Sequence, residues 1–503
     1  MDLTLMLEMA TGDEPDRTAI SGGDGSQLTR AELDRHAHHA ARLFAASGAT
    51  QIGYFDTNGP SLPIALFGAA LAHKPFVPFN YRLADDQLSE LLHREPSIAV
   101  VASGERVDRL RALGVERIID AGELTREGDD GDSDEWSALP GDPDDIAVLL
   151  YTSGTTSAPK AAVLRHRHLA SYVISTVEFG SAGSDEAVLV SVPPYHIAGV
   201  STILSNLYMG RRIAYLDPFE PHRWLETVGK EGITHAMVVP TMLARIVEAA
   251  QGTPPEVPTL RSLAYGGAPM PGPVIERALA LFPDVAFTNA YGLTETSSTI
   301  TVLGPDDHRA AFASDDPAVR ARLGSAGRAV PGIELVVLDP DGTPLPPRTP
   351  GAVHVRGEQV SGEYVGSVAT IEDGWFPTKD IGWLDEDGYL FIEGRSDDTI
   401  IRGGENIAPA EIEDVLLHHP AVAECAVVGV ADEEWGQRIA AAVVLRPGHT
   451  ATVDELREFT RGKLRGSKTP DVIEIQEELP YTDTGKLLRR EVRQMFAEPT
   501  VDG

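Results

Sequence analysis

One cysteine, Cys425, stands in 503 residues, so no internal disulfide can form. It lies in the apolar run Val422-Ala423-Glu424-Cys425-Ala426-Val427-Val428, which predicts a buried strand thiol rather than a nucleophile. Long hydrophobic runs are missing too, and none approaches the roughly 20 residues of a membrane span. The start, Met1-Asp2-Leu3-Thr4-Leu5-Met6-Leu7-Glu8, has no basic region followed by an apolar stretch, so no secretory leader is read there. The expectation is a cytoplasmic protein without stable membrane insertion. Basic residues are scarce: 42 Lys and Arg against 76 Asp and Glu leave a net charge of −34. Such a field repels phosphate backbones and anionic lipid, which argues against nucleic-acid partners. Any phosphate that does bind then needs local cations or backbone amides.

A chain of 503 residues with 42% hydrophobic content is globular and too long for one core. Its first two-thirds alternates. The patterns predict a helix over 31–46, a strand over 147–151, a helix over 164–179, a strand over 187–192, a helix over 203–209 and a strand over 213–216. That alternation predicts α/β layers with largely parallel sheets. From 333 to 392, short alternating strands with Gly, Pro and Asp turns predict an antiparallel, β-rich subdomain. After Asp397, a helix over 409–417, strands over 422–430 and 439–445 and a helix over 453–464 predict a small α+β domain. The expected division is 1–396, a large N-terminal α/β domain with layered sheets and the β-rich subdomain, and 397–503, a small mobile α+β domain. The acidic stretch 127–135 is expected to be a solvated loop rather than a metal loop. Oligomeric state is left open, a homo-oligomer included.

The segment Tyr151-Thr152-Ser153-Gly154-Thr155-Thr156-Ser157-Ala158-Pro159-Lys160 follows an apolar strand and precedes a helix-like segment. Its hydroxyls and backbone amides can donate to phosphate oxygens, and Lys160 adds a cation. It lacks the Gly-Lys-Ser/Thr ending of a Walker loop. Composition alone favours a surface turn, and the position after a buried strand, with a lysine at its end, shifts the reading toward phosphate.

This segment resembles the YTSGTTGxPKG loop of the adenylate-forming superfamily, which holds acyl- and aryl-CoA synthetases, luciferases and peptide-synthetase adenylation domains. Two glycines of that pattern are Ser157 and Ala161 here. Further segments resemble the family in the same order. Val192-Pro193-Pro194-Tyr195-His196-Ile197-Ala198-Gly199 is similar to the segment whose histidine lines the acyl site, which implicates His196, Gly199 and Val200. Tyr265-Gly266-Gly267-Ala268-Pro269 is similar to the segment beside adenine, with Tyr265 and Gly266 toward the acyl group and Gly267, Ala268 and Pro269 toward ATP. In Asn289-Ala290-Tyr291-Gly292-Leu293-Thr294-Glu295-Thr296 the resemblance implies that Tyr291 stacks on adenine and Glu295 holds Mg²⁺. It also places Asn289, Ala290, Gly292 and Thr294 at the nucleotide. Gly374-Trp375-Phe376-Pro377-Thr378-Lys379-Asp380 resembles GWFHTGD, whose aspartate binds the ribose diol; here that is Asp380, and Lys379 replaces a glycine. Gly394-Arg395-Ser396-Asp397-Asp398 resembles the inter-domain hinge, with Arg395 toward ribose and phosphate and Asp397 as the pivot. Pro480-Tyr481-Thr482-Asp483-Thr484-Gly485-Lys486 resembles the loop of the catalytic lysine, Lys486.

The activity implied is conversion of a carboxylic acid to an acyl-adenylate by ATP and Mg²⁺, then acyl transfer to coenzyme A. Arg402-Gly403-Gly404-Glu405-Asn406-Ile407-Ala408-Pro409-Ala410-Glu411-Ile412-Glu413 is close to the RGGENIxPxEIE form of CoA ligases. Gly403 and Gly404 would let the backbone approach a pantetheine arm; a turn before the helix is the plainer reading of the same residues. Loading of a carrier protein, and a non-catalytic nucleotide-binding homologue, are the competing expectations. Near His196 the residues Ile197, Ala198, Gly199, Val200 and Ile203 are apolar or small, and no carboxylate is there to pair with an α-amine. An aliphatic or aromatic acid without positive charge is therefore expected.

Overall fold

The computed structural model describes residues 1–503 except 23–24, 96, 127–140, 153–159, 369–372, 403–404, 433–434, 465, 483–486 and 497–503. The acidic stretch thus lies outside the described residues.

Two large sheets dominate the N-terminal part. One has 9 strands and contains, in spatial order, Ala286–Leu293, Ser262–Gly266, His235–Val238, Ala187–Val190, Arg212–Tyr215 and Thr18–Ser21, all parallel neighbours. The other has 8 strands, with Ile146–Thr152, Phe76–Pro78, Gln51–Tyr54, Ile98–Ala102 and Ile118–Asp120 parallel at its centre. Parallel strands buried on both faces must be covered twice. Helices Leu3–Asp13, Arg30–Ala46, Ser61–Leu71 and Ile197–Met209 fill the space between the sheets, where Phe44, Phe67, Leu204, Val148 and Val190 share one core. Further helices cover the two outer faces, around Trp224 and Leu243 on one and around Leu88 and Leu110 on the other. The helix Arg30–Ala46 begins at a capping box in which Thr29 Oγ1 takes the Glu32 N–H and Glu32 returns a bond to the Thr29 N–H.

A 4-stranded antiparallel sheet follows, formed by Glu334–Leu338, Gly351–Arg356, Phe376–Leu384 and Leu390–Arg395. The last part holds a 3-stranded sheet, Val422–Asp432, Gly436–Leu445 and Val472–Gln476, with helices Pro409–Leu417 and Val453–Arg461. Cys425 is 8% exposed, and burial raises its thiol above the ordinary range. These layers agree with the expected fold class.

One local expectation fails. The phosphate-loop segment does not enter a helix: Lys160–Arg165 is a strand, antiparallel to Ile146–Thr152, and the helix is His166–Thr176. Ala161, Ala162, Val163 and Leu164 are all buried. Burial on both faces erases the alternation that marks a strand, and Ala and Leu then mimic a helix.

Candidate active site

Three segments converge on Asp380. Strand Ala286–Leu293 carries Tyr291, whose hydroxyl donates to Asp380 Oδ2 at 2.5 Å. Strand Leu390–Arg395 ends in Arg395, whose Nη1 lies 3.3 Å from Asp380 Oδ1. Asp380 itself sits in strand Phe376–Leu384, opposite Arg395 in register, 4% exposed. Its backbone N–H donates to Thr378 Oγ1 at 3.1 Å. Burial, and then the Asp380 charge, push the Tyr291 phenol well above its ordinary range, so it remains a donor.

The wall beside this array is made of close backbone approaches. A Cβ on Gly266 would meet the Ala290 carbonyl oxygen at 2.1 Å, and one on Gly292 would meet the Ser298 oxygen at 1.8 Å. Gly267 has φ +84°, which turns the chain from the strand toward Ala268 and Pro269. Asn289 uses its amide to hold the Ser325 carbonyl at 3.0 Å, and so braces the strand. Tyr265 faces the other way: its side chain is fully buried in the outer core, and its hydroxyl meets His308 Nε2 at 2.9 Å. Its ring is therefore no wall of an acyl site, contrary to the expectation.

Glu295 lies in the single turn Thr294–Thr296. Its backbone carbonyl accepts from Ser361 N–H at 2.8 Å and Gly362 N–H at 3.2 Å. The buried Gln359 amide pins the same turn, donating to the carbonyls of Thr296 at 2.9 Å and Thr299 at 2.8 Å. The Tyr364 hydroxyl donates to Glu295 Oε1. Tyr364 was not singled out from the sequence; an aromatic residue alone in a Gly-Glu turn was the available signal. Its backbone pairs with Ala162 of strand Lys160–Arg165, and the Lys160 ammonium stands 5.8 Å from its ring centre. The hairpin, Tyr364 and Glu295 thus form one connected unit. Thr152 closes the hairpin by donating its hydroxyl to the Lys160 carbonyl at 3.3 Å. Ser153, Gly154, Thr155 and Thr156 lie outside the described residues, as do Gly403, Gly404 and Lys486.

His196 occupies the N-cap position of helix Ile197–Met209, with its ring 5.2 Å from that of Tyr195. Gly199 is a packing requirement: an added Cβ would lie 2.9 Å from the Pro193 carbonyl oxygen. Val200 is 1% exposed and belongs to the core between the sheets. Of this group, His196 with Ile197 and Ala198 is the part left only half-buried.

Of the three glycine departures, Ser157 lies outside the described residues, and the other two separate cleanly. Ala161 is extended strand and needs no glycine. Lys379 has φ +64°, the left-handed conformation a glycine adopts freely. Arg395 and Asp398, three positions apart, tie to opposite parts. Asp398 lies 3.0 Å from Arg493 and 3.7 Å from Arg489, and Arg489 is bound to Glu413 at 2.5 Å.

Residues 7–365 match the family model described as AMP-binding enzyme, and 411–486 match that of the AMP-binding enzyme C-terminal domain. The chain belongs to the AMP-binding enzyme family. Within that adenylate-forming family it stands in the acyl-CoA synthetase branch, an acid–thiol ligase of the AMP-forming kind. It is 34% identical over 492 residues to a feruloyl-CoA synthase of Amycolatopsis sp, covering 96% of each chain. It is 33% identical over 499 residues to the fatty acid–[acyl-carrier-protein] ligase ScoC of Streptomyces coeruleorubidus, covering 94% of this chain and 92% of that one. Among solved structures, o-succinylbenzoate CoA synthetase (MenE) of Bacillus subtilis, in complex with its acyl-adenylate intermediate, superposes with TM-score 0.84 at 27% identity over 97% of each chain. No helix of this AMP-binding enzyme, among the described residues, is long and apolar enough to cross a membrane.

Proposed function

We propose that this ligase activates an aryl or arylalkanoic acid, with Tyr291, Asp380 and Arg395 holding the nucleoside of ATP. The convergence of phenol, carboxylate and guanidinium on Asp380 carries this reading. A buried carboxylate oriented from both sides can accept both ribose hydroxyls. Gly266 and Gly292 let neighbouring backbone approach closely, and Gly267 supplies a left-handed turn with open space around it, so this wall beside Tyr291 is backbone, against which a flat base can lie. Ala268, Pro269 and Thr294 complete that wall. Thr152, Ser153, Gly154, Thr155, Thr156 and Lys160 are assigned to the phosphates, and Lys160 stands beside Tyr364.

Glu295 suits Mg²⁺. It offers carboxylate oxygen, the donor that a hard cation prefers, and Tyr364 orients it. Bound there with ATP, Mg²⁺ would offset phosphate charge. The protein's own part is positioning. The acid's carboxylate attacks the α-phosphorus, an acyl–phosphate bond forms, and the bond to pyrophosphate breaks. The thiol of CoA then attacks the acyl carbon and AMP leaves. Lys486 is assigned to the first step, between α-phosphate and carboxylate, and Gly403 and Gly404 to the pantetheine arm in the second. Asp397 is the assigned boundary and hinge between 1–396 and 397–503. Arg395 is anchored to the first part and Asp398 to the second, which supports that division.

His196, at the mouth of its helix, is assigned to the wall of the acyl site rather than to a base. The feruloyl and o-succinylbenzoyl relatives support an aromatic acid. The net charge of −34 supports small-molecule partners over nucleic acid. The test is an acid panel with ATP, Mg²⁺ and CoA, read by chromatography. Aryl-CoA, AMP and pyrophosphate are expected. ADP and orthophosphate as main products would sink the mechanism. Alkyl acids turned over in preference would sink the substrate class, and thioester formed only on a carrier protein would sink the CoA step.

A further inference from the structure

Ser297 and Ser298 hold φ +56° and +121°, two consecutive L-residues in a part of backbone space that favours glycine. Both are buried. Ser297 closes the turn Thr294–Thr296 in the left-handed conformation, which hairpin loops commonly ask of one residue. Ser298 has a different setting. It is the first residue of strand Ser298–Leu303 and pairs with Leu293, where ordinary extended backbone would be the rule. Strain of this kind persists only where the surroundings over-determine it, and it gathers at functional sites.

Three contacts hold Ser298. Its carbonyl oxygen accepts the Thr296 hydroxyl at 2.8 Å. The same oxygen lies against Gly292, where a Cβ would stand 1.8 Å from it. Its own hydroxyl meets Ser201 Oγ at 3.2 Å, away from solvent. Ser201 can give its proton to the Ala198 carbonyl, 3.4 Å away, and accept from Ser298. Thr296 is the last residue of the turn that carries Glu295, and its Oγ1 also accepts the Leu293 N–H at 3.0 Å, ahead of that turn. Ser201 belongs to helix Ile197–Met209, about one turn inside its His196 N-cap. Ser298 is therefore clamped between the Glu295 turn and the helix that His196 heads. Tyr364 orients the Glu295 carboxylate at its tip, and Ser298 braces the backbone from which that carboxylate projects. Glycine would adopt the same φ without strain but would lack the hydroxyl that ties the turn to the helix.

We propose that Ser298, keyed to Ser201, is a positioning residue that holds the Glu295 turn in place for Mg²⁺. This role rests on the assignment of Glu295 to the ion. Without the tie the turn can relax against the helix, and the carboxylate loses the placement that a small cation of strict geometry demands. Isothermal titration of the full chain with ATP, in the absence of any acid, tests it, once in EDTA and once in excess Mg²⁺. The ratio of the two affinities is the gain due to the ion. In Ser298→Gly and, separately, in Ser201→Ala, that gain should shrink about fivefold, while affinity for ATP in EDTA stays within about twofold of wild type. Glu295→Gln should abolish the gain. Circular dichroism checks the fold of each variant. A gain kept in either folded serine variant but lost in Glu295→Gln overturns the role of Ser298 alone. Parallel loss of affinity with and without Mg²⁺ overturns it too, because a merely structural defect does that. A gain absent from wild type, or surviving Glu295→Gln, overturns the assignment of Glu295 and the role of Ser298 with it.

Discussion

Tyr291 and Asp380 are joined by a 2.5 Å hydrogen bond between two strands of different sheets, and the phenol is the donor. With Arg395 on the other carboxylate oxygen, the orientation of Asp380 is set by its own neighbours, ahead of the ribose proposed to meet it. Preorganisation of this kind lowers the cost of ordering the site on binding.

Tyr291→Phe keeps the ring and removes that bond. KM for ATP should rise about tenfold, equivalent to roughly 1.4 kcal/mol, with a smaller change in kcat. Initial rates at saturating acid measure it. An unchanged KM would mean that the phenol does not orient the carboxylate.

Lys379 holds φ +64° on an exposed site. A left-handed L-residue costs roughly 1–2 kcal/mol, and glycine avoids that cost but carries more chain entropy when unfolded. Lys379→Gly should therefore be neutral to stabilising, within about 1 kcal/mol, whereas Lys379→Val should destabilise by more than 1 kcal/mol. Urea midpoints of the two variants decide it; equal midpoints would show that the turn tolerates any side chain.

Burial lowers the imidazole of His168, which is 2% exposed, to about 4. Above pH 6.5 the ring is neutral folded and unfolded, and contributes nothing to pH dependence. Between 6.5 and 4 only the unfolded chain takes the proton, so stability falls as pH falls through that window, by up to about 1.4 kcal/mol per unit. The urea midpoint should drop from pH 7 to pH 5, and drop less in His168→Gln. His235, also lowered by burial to about 4, adds to the same slope. Equal slopes in wild type and His168→Gln would remove His168 from the account.

The Arg395–Asp398 turn predicts separable half-reactions. Asp397→Pro fixes one φ near −65° between two anchored residues. Acyl-adenylate formation should persist while thioester formation slows at least about tenfold, as expected when only one of two domain orientations is reachable. Equal loss of both, in a folded protein, would count against a hinge at this position.

Lys486→Ala and Gly404→Leu should fail in opposite ways. The first should lose acyl-adenylate formation by about a hundredfold, roughly 3 kcal/mol, yet still convert supplied acyl-adenylate and CoA. The second should adenylate normally and lose thioester formation. Each half-reaction is measured alone, after circular dichroism of both variants. Loss of the same half-reaction in both would rule out alternation between two faces of the C-terminal domain.

What could be read from the sequence follows the physics of each element. The helix Arg30–Ala46 announces itself through its period and its Thr29–Glu32 cap, and Pro409–Leu417 through its leading proline. Motif order singled out Tyr291, Glu295, Asp380 and Arg395, and the structure brings Tyr291, Asp380 and Arg395 into contact. Contacts between distant segments were not legible: Tyr364 reaches Glu295 across 69 positions, and Asn58 reaches Val192 across 134. Nor was orientation. Tyr265 sits within its motif but turns its ring into the core, because successive strand residues face opposite sides. Ala161 and Lys379 both replace glycines of the family pattern, and only backbone φ tells the harmless replacement from the strained one.

The strand Lys160–Arg165 pairs with Ile146–Thr152 and, at Ala162, grips Tyr364, whose hydroxyl holds Glu295. A β-ladder is stiff along its length, so a displacement of the hairpin at Thr152 or Lys160 would be carried through Ala162 and Tyr364 to the carboxylate. Hairpin end and carboxylate thus share one mechanical support, and a distortion introduced at either reaches the other.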